Sequence, residues 1–174
     1  MSQRKGWQCN VGCLDVAKAF DKVWHRGFGY KLLHLDLPLI IEKILGDYIK
    51  NRKACIKYRG DKGEDFDLHS GVPQGSILAP TPYSLYTADL PPPTHHGDLD
   101  VIFADDITQV IVDPNVSTRY IARKTEREIQ RVNSFERKWK IKTSMQKFQL
   151  LAISKLKPGK VEVEGLEISF KTQA

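Results

Sequence analysis

Apolar positions recur along this chain with two different periods, which predicts both helices and strands. The 3.6-residue period is clearest in residues 117–140, where apolar side chains share one side of a helix and basic residues occupy the other. This apolar stripe consists of Ile121, Ile129, Val132, Phe135 and Trp139. Ser117 or Thr118 is expected to cap the helix, because a hydroxyl oxygen can accept a hydrogen bond from an N–H of the first turn.

A second amphipathic helix is predicted after Pro38, since proline suits the first turn of a helix. Its apolar face comprises Leu39, Ile40, Ile41, Ile44, Leu45, Tyr48 and Ile49. Residues 18–35 are expected to be helical in part, with breaks at Gly27 and Gly29. Residues 77–90 are expected to form a further helix, which ends before the prolines at 91–93.

Short apolar runs between turn signals predict the strands. They are residues 11–16, 54–58 with 66–70 across a turn at 60–63, 99–113 as a hairpin, 149–153, and 161–170 as a hairpin with its turn at Gly165. Asp15 lies near the end of the first of these strands. Strands and hairpins with covering helices favour an α+β fold, in a single domain of residues 1–174.

The charge balance indicates a polyanionic partner. Lys and Arg total 27 against 21 Asp and Glu, a net charge of +6, which suits nucleic acid, with a merely basic soluble domain as the alternative. No apolar run is long enough to span a bilayer and residues 1–10 lack the apolar stretch of a secretory signal, so no membrane partner is expected. The three cysteines match no zinc-binding set, and we interpret them as reduced thiols of an intracellular protein, nuclear or cytoplasmic.

Candidate chemistry centres on the adjacent acids Asp105 and Asp106, which lie between the apolar runs of residues 101–112. A bound cation is one explanation for such a pair, and a plain hairpin tip is the other. Asp15 ends a strand that is expected to lie beside this hairpin, so that Asp15 and Asp105 would share metal ions. Mg²⁺ is favoured, because carboxylates and substrate phosphates are its usual ligands and no thiolate or histidine set suits a softer metal.

Three segments resemble, in the right order, the motifs of a polymerase family. The run LDVAKAFDKVWH at residues 14–25 resembles motif A of the reverse transcriptases of non-LTR (LINE-type) retrotransposons. SGVPQGSILAP at residues 70–80 resembles their motif B, and FADD at residues 103–106 resembles their motif C. The residues of motifs A and B resemble those of jockey-like elements more than those of retroviral, telomerase or group II intron enzymes. The resemblance extends over about residues 12–154.

The resemblance implies an activity, its partners and a fold. The activity is RNA-directed DNA synthesis, in which a primer 3′-hydroxyl attacks the α-phosphate of a deoxynucleotide and pyrophosphate leaves. Two Mg²⁺ ions, or Mn²⁺, would be the cofactors, and an RNA template, a DNA primer and deoxynucleoside triphosphates would be the partners. The implied fold is a polymerase palm, which is a small antiparallel sheet covered by helices on one face.

Metal-binding roles are implied at the positions that match motifs A and C. Asp15, Asp105 and the backbone carbonyl of Val16 match the family's metal ligands. Asp106 would lie near the metals in a supporting role.

Nucleotide-binding roles are implied for Phe20, Gln74, Gly75 and Ala104. Phe20 matches the aromatic residue that lies under the incoming sugar and excludes a 2′-hydroxyl, with an ordinary core aromatic as the alternative. Gln74 would contact the nucleotide and the template, and Gly75 would let the backbone approach closely. For this loop, an ordinary turn before a helix is the alternative. Ala104 would face the primer terminus.

Two segments depart from the family's pattern. Residues 139–142 followed by Lys147 resemble motif D, whose lysine protonates the leaving pyrophosphate, but the usual Asn-Pro turn is missing from residues 142–148. A solvated surface lysine is the alternative for Lys147. Pro82 lies within the helix predicted after motif B, and an interior proline costs about 3 kcal/mol or shifts the helix start.

Family enzymes also contain fingers before motif A, a thumb after the palm, and an endonuclease. Fourteen residues precede Asp15, so the chain is expected to be a palm fragment of a longer retrotransposon protein that carries those parts. A truncated or decayed palm, catalytically inert and with residual nucleic-acid binding, is the alternative function.

Overall fold

The computed structural model describes residues 7–114, 117–144, 147–153 and 160–171. The helices are α1 (His25–Leu32), α2 (Leu39–Ile49), α3 (Pro80–Thr87) and α4 (Thr118–Trp139), with a 3₁₀ turn at Ala19–Asp21. The strands are β1 (Gln8–Asp15), β2 (Lys53–Ala54), β3 (Lys57–Tyr58), β4 (Asp61–Lys62), β5 (Phe66–Asp67), β6 (Leu99–Phe103), β7 (Asp106–Asp113), β8 (Gln149–Ala152), β9 (Val161–Val163), β10 (Leu166–Ile168) and β11 (Phe170–Lys171). The predicted α+β class is confirmed.

The chain divides into two compact units. The first comprises the described parts of residues 1–17, 90–138 and 142–174, and the second comprises residues 18–89 and 139–141. In the part of the chain that the structure describes, no helix is both long and apolar enough to cross a membrane.

The first unit is built on a five-stranded sheet in the order β11-β8-β1-β7-β6. The central pair, β1 and β7, is antiparallel and runs in register from Gln8 opposite Asp113 to Asp15 opposite Asp106. The predicted hairpin of residues 99–113 is confirmed as β6 and β7. Strand β11 joins β8 in parallel, which sequence periodicity did not predict because the strand has two residues.

The two faces of this sheet have different surroundings. Leu14 of β1 and Ile107 of β7 pack against Ala122, Ile129 and Val132 of α4 in one buried cluster. Because side chains alternate along a strand, the odd-numbered residues of β1 and the even-numbered residues of β7 lie on the other face. Asp15 and Asp106 are therefore on the face away from α4.

Helix α4 forms as its periodicity predicts. Ser117 caps it, since its Oγ accepts a hydrogen bond from the Tyr120 N–H at 3.3 Å. The predicted stripe of Ile121, Ile129, Val132, Phe135 and Trp139 is buried. The β9–β10 hairpin, predicted at residues 161–170, completes this core with Val161, Val163 and Ile168.

A buried carboxylate connects α4 to the segment that follows it. Both the N–H and the hydroxyl of Thr143 donate hydrogen bonds to the side chain of Glu136. Burial raises the pKa of Glu136 above its usual range; the bonds from Thr143 oppose this rise, and the charge of Glu164 adds to it. The two hydrogen bonds from Thr143 therefore compensate part of the desolvation cost of the Glu136 carboxylate.

The second unit contains a lysine that links α1 to α3. Lys31 is buried, and its ammonium donates hydrogen bonds to the Tyr86 carbonyl and the Asp89 carboxylate. The same ammonium lies 3.8 Å from the centre of the Trp139 ring, and the Tyr86 hydroxyl donates to the Trp139 carbonyl. Burial, opposed by a backbone hydrogen bond at Trp24 and reinforced by Asp89, raises the pKa of Tyr86 to about 12. The phenol thus stays protonated and keeps its role as a donor.

The predicted breaks at Gly27 and Gly29 are wrong, because α1 runs through both residues. A Cβ atom on Gly27 would lie 2.4 Å from Cε3 of Trp24, whereas a Cβ on Gly29 would meet nothing within 4 Å. Packing of the Trp24 ring, at the N-cap of the same helix, against position 27 therefore explains the glycine there, and its low helix propensity is overridden.

The predicted apolar face of α2 is only partly buried. Leu45 and Ile49 are in the core, but Leu39, Ile40, Ile41 and Ile44 are 42–64% exposed. Pro38 occupies the N-cap position just before Leu39, close to the predicted helix start. Helical spacing therefore located the element correctly and overestimated how much of its surface the rest of the chain covers.

The helix expected from residue 77 begins at Pro80, and residues 77–79 precede it. This later start makes Pro82 the third helical residue, where the backbone N–H has no partner within the helix in any case. The extra proline therefore breaks no helical hydrogen bond. Of the two outcomes expected for Pro82, the shifted helix start is the one observed.

The predicted hairpin before motif B is observed as two short ladders, but the predicted turn at residues 60–63 is wrong, because Asp61 and Lys62 form β4 and the chain turns at Arg59 and Gly60. β2 pairs with β5, and β3 pairs with β4. The connection at Arg59 and Gly60 has positive φ at both residues, 49° and 97°, which is the geometry of a two-residue hairpin turn.

We predict opposite effects for alanine at the two glycines of α1. Gly27→Ala should lower the free energy of unfolding by roughly 1–3 kcal/mol, because the new methyl displaces the Trp24 ring. Gly29→Ala is the matched control and should raise it by about 0.5–1 kcal/mol, since only the helix propensity changes. Urea unfolding followed by circular dichroism measures both. Equal stability of the two variants would refute the packing explanation.

We predict a pH-dependent effect for Glu136→Gln. A raised pKa in the folded state means that the wild type loses stability as the pH rises from the ordinary carboxyl range through the folded-state pKa. Glutamine keeps one of the two oxygen acceptors that Thr143 uses and cannot ionise. The variant should therefore gain stability relative to wild type as the pH rises above the ordinary carboxyl range of about 4, in urea titrations repeated along a pH series. Glu64→Gln, at an exposed site, is the control, and parallel profiles for wild type and Glu136→Gln would contradict the prediction.

Candidate active site

The acids of motifs A and C meet at one end of the β1–β7 pair. Asp15 is the last residue of β1, Asp106 is the first of β7, and the two are paired in register. The Val16 N–H donates a hydrogen bond to the Asp105 carbonyl at 3.3 Å. The backbone thus holds the hairpin tip against the end of β1, but among the described residues the carboxylates of Asp15, Asp105 and Asp106 do not converge as a group of three potential metal ligands.

The tip of the β6–β7 hairpin is a two-residue loop of Ala104 and Asp105, since Phe103 pairs with Asp106. Ala104 has a φ of 51°, in the left-handed region. A non-glycine residue in a sparsely populated conformation costs on the order of 1–3 kcal/mol, which surrounding contacts must offset. Here the bond from Val16 to Asp105 and the β7 ladder provide such contacts. Asp105 itself is partly exposed at this tip.

A second backbone connection holds the other side of Asp15. The Ser144 N–H donates to the Asp15 carbonyl at 2.7 Å, and the Ala17 N–H donates to the Lys142 carbonyl at 2.9 Å. Between these bonds, Val16 and Thr143 form an isolated antiparallel β-bridge. Thr143 is also held by the Glu136 side chain, which accepts a hydrogen bond from its N–H. The weak motif D segment therefore lies beside motif A, although residues 145 and 146 are outside the described residues.

Lys147 forms an ion pair with Asp15. Its Nζ lies 3.0 Å and 3.2 Å from the two carboxylate oxygens, with side chains 64% and 30% exposed. At this exposure the pair contributes about 0–1 kcal/mol to stability. The ion pair matters mainly for position, because it places the Lys147 ammonium beside Asp15, a predicted metal ligand.

Among the described residues, a different cluster brings three potential metal ligands together. His95, Asp98 and Glu128 have ligand atoms within 4.8 Å of one another. Two cations already pair with this cluster: Lys124 lies 2.8 Å from Asp98, and Arg131 lies 2.7 Å from Glu128.

Burial disfavours the charge of Glu128, but hydrogen bonds from Thr94 and Arg131 outweigh that effect and lower its pKa. The cluster thus connects the loop before β6 to α4 through ion pairs. No local sequence pattern signals this cluster, because Thr94 and Glu128 are 34 positions apart.

The motif B loop meets the end of motif A within the second unit. The Val72 N–H donates to the Phe20 carbonyl and the Gly71 N–H to the Val23 carbonyl, both at 2.8 Å. The Gln74 amide donates to the Asp21 carboxylate at 2.7 Å. Two predicted nucleotide-binding residues, Phe20 and Gln74, are thereby brought together.

Glycine at position 71 follows from this close approach. Its φ is 89°, and a Cβ there would lie 3.2 Å from Cα of Asp21. Gly75 also has a positive φ, 83°, but a Cβ there would meet nothing within 4 Å. A side chain at position 71 would therefore crowd the Asp21 backbone, whereas a side chain at position 75 would meet no neighbouring atom.

Phe20 is half-buried, with its ring centre 5.2 Å from that of Tyr83 in α3. This contact fits both interpretations of Phe20, since a core aromatic and a sugar-facing aromatic each need one supported ring face.

Sequence reasoning missed Asp21 and His25 as members of this group. His25 Nε2 lies 2.7 Å from the Gly71 carbonyl, and Asp21 pairs with Gln74. Both residues stand inside the motif A run, but their partners are 46 and 53 positions away. No local pattern links them, and only the chain path shows the contacts.

A family model described as reverse transcriptase (RNA-dependent DNA polymerase) matches residues 2–168. A probable RNA-directed DNA polymerase from transposon BS of Drosophila melanogaster is 31% identical over 177 residues, which cover 95% of this chain and 19% of that protein. The RNA-directed DNA polymerase from mobile element jockey of Drosophila funebris is 40% identical over 78 residues, which cover 45% of this chain and 8% of that protein. The chain therefore spans about a fifth of the relative that it matches over most of its own length.

Solved structures show a similar fold. Telomerase from Candida tropicalis, solved with a fragment of telomeric RNA, superposes with a TM-score of 0.65 at 13% identity, covering 95% of this chain and 29% of that one. Apo telomerase from the same organism gives 0.63 at 14% identity, covering 92% of this chain and 34% of that one. With the family model matching nearly the whole chain and the motifs in their expected order, this protein belongs to the reverse transcriptase family.

Proposed function

We propose that this chain carries the catalytic centre of an RNA-directed DNA polymerase of a jockey-like non-LTR retrotransposon. The observation that carries the proposal is the register of β1 and β7, which sets Asp15 opposite Asp106 with Asp105 at the adjoining tip. The reaction is the attack of a primer 3′-hydroxyl on the α-phosphate of a deoxynucleotide, with release of pyrophosphate. Catalysis by such a centre is mostly positioning and charge neutralisation.

The sheet with α4 on one face is proposed to be the palm of this polymerase. The similarity to telomerase supports the fold, and the antiparallel β1–β7 pair with one covered face fits the arrangement. Because the family model extends over residues of both compact units, we propose a single reverse transcriptase domain.

The donor set at the strand ends suits two Mg²⁺ ions, or Mn²⁺. Asp15, Asp105 and the Val16 carbonyl supply oxygen ligands of the kind that these ions prefer, and Asp106 supports them. When bound, such ions activate the attacking hydroxyl and neutralise charge on the leaving group. The backbone bond from Val16 to Asp105 supports this assignment, because it keeps the hairpin tip next to the end of β1.

The remaining site residues are proposed to position the nucleotide and move a proton. Phe20 excludes a 2′-hydroxyl, Gln74 and Gly75 contact the nucleotide, and Ala104 faces the primer terminus. Lys147 donates a proton from its ammonium to the leaving pyrophosphate. The ion pair of Lys147 with Asp15 supports this role, because it places the ammonium at the acids.

The proposed partners are an RNA template, a DNA primer and deoxynucleoside triphosphates, with fingers, thumb and endonuclease parts of a longer protein. An intracellular location, nuclear or cytoplasmic, is proposed from the free cysteines Cys9, Cys13 and Cys55.

We predict that the two acids control both metal binding and synthesis. Asp15→Asn and Asp105→Asn should each weaken Mn²⁺ binding, measured by water-proton relaxation, by roughly tenfold or more, since loss of an outer-shell partner alone costs about 10–100-fold. Both should abolish primer extension on poly(rA)/oligo(dT) with Mg²⁺. Asp47→Asn, at an exposed acid of α2 outside the three motifs, is the matched control and should leave both readouts unchanged.

The two readouts separate the outcomes. Mn²⁺ binding that depends on Asp15 and Asp105 without any extension by the wild-type chain would favour the inert-palm alternative. Mn²⁺ binding that neither substitution weakens would overturn the metal centre itself.

We predict that Phe20→Val admits ribonucleotides. Removing the ring should lower the preference for dNTPs over rNTPs in primer extension, because the 2′-hydroxyl no longer meets an aromatic edge. Tyr83→Phe is the control, since it keeps the ring that supports Phe20. Unchanged sugar discrimination in Phe20→Val would assign Phe20 to the core alone.

A further inference from the structure

Three arginines on α4 form a stripe of positive charge without protein partners among the described residues. Arg119, Arg123 and Arg127 follow each other at four-residue spacing, so they lie on one side of the helix, about 6 Å apart in rise. All three are exposed, and none has a hydrogen-bond or ion-pair partner in the described part of the chain. We call these three residues the arginine stripe.

Other basic side chains of α4 show that this lack of partners is selective. Lys124 pairs with Asp98, Arg131 with Glu128 and Asp100, and Arg137 with Glu164. The helix therefore uses its inward and flanking cations for structure. Within the described residues, the stripe presents guanidinium groups that are free for a ligand.

A cavity of about 330 Å³ lies at the N-terminal end of the stripe. It is lined by Thr118, Arg119, Ala122, Arg123, Glu126 and Lys160. The single carboxylate of this lining, Glu126, accepts a hydrogen bond from the Glu162 N–H at 2.9 Å and so serves to hold β9. Lys160 pairs with Glu167 at 3.2 Å, so the cations of this lining without a partner among the described residues are Arg119 and Arg123. The start of α4 adds the positive end of the helix dipole.

The stripe faces away from the catalytic sheet. Ala122 and Ile129 of α4 pack on the sheet, and the arginines occupy the opposite side of the same helix. Within the first unit, the stripe is thus on another surface from the strand ends that carry Asp15 and Asp106.

We propose that the arginine stripe binds backbone phosphates of single-stranded RNA outside the polymerising site. Arg is suited to this ligand, because its planar guanidinium donates paired hydrogen bonds to phosphate oxygens. The stripe extends over about 12 Å of helix, so it engages successive phosphates rather than one. Such contacts position the RNA and read no sequence. The proposal rests on the proposed function in one respect, namely that the RNA is the template of the polymerase.

The salt dependence of RNA binding tests the stripe. Fluorescence anisotropy with labelled oligouridylate gives the affinity of the full chain at several salt concentrations. For R119Q/R123Q/R127Q, the slope of log affinity against log salt should become less steep by about 2, because each phosphate contact to a single strand contributes about 0.7. K43Q/K50Q/K171Q, three exposed lysines elsewhere, makes the same change in net charge and should leave the slope near the wild-type value.

R119K/R123K/R127K guards against a folding defect, since it keeps the charges and should retain most of the slope. An unchanged slope in the glutamine variant, or an equal loss in the lysine control, would overturn the proposal. Binding of poly-glutamate in place of oligouridylate would also overturn it, and would indicate an acidic protein partner.

Primer extension by the chain with intact acids, measured beside these binding curves, separates this inference from the proposed function. Stripe-dependent RNA binding in a chain that never extends a primer would leave the inference standing while the proposed activity fails. If the chain extends a primer but the salt slope of RNA binding is the same with and without the arginine stripe, the proposed activity stands and this inference fails.

Discussion

The antiparallel pairing of β1 with β7 is the constraint on which the candidate site depends. Side chains alternate between the two faces of a sheet, so a slip of one residue would turn Asp15 toward α4 and Leu14 away from it. Burial of Leu14 and Ile107 against α4 opposes that slip. The hydrophobic core therefore determines where the acids point, and the hydrogen bond between Val16 and Asp105 refines the arrangement at the strand ends.

Helix α4 distributes its charges according to what surrounds them. Toward the sheet it buries apolar residues together with the carboxylates Glu128 and Glu136, each compensated by hydrogen bonds. Charges in such places are tolerated only when they are paired. On the outer side no such requirement exists, and the arginine stripe has no partner among the described residues. One helix thus supports the strands that carry the candidate acids and presents a basic surface.

Local patterns predicted most elements of this fold, and packing decided the exceptions. The apolar stripe of α4 and the alternation of buried and exposed residues in β7 each repeat over many residues. One residue that breaks such a pattern therefore does not change the predicted element. The break predicted at Gly27 was wrong because the Trp24 ring occupies the space that a Cβ at position 27 would need, so glycine is compatible with the helix there. The exposed residues of α2 misled it because apolar spacing shows which side of a helix is hydrophobic and does not show what covers that side.

The sequence by itself determined the family, the order of its motifs and the identity of the acids, since these depend on residue types at short spacing. Only the tertiary structure decided how the acids are held. The pairing of Lys147 with Asp15, of Gln74 with Asp21 and of Glu136 with Thr143 joins residues that lie up to 132 positions apart. The two longer of these contacts depend on the path of the chain through its core, and no local pattern of residues encodes that path.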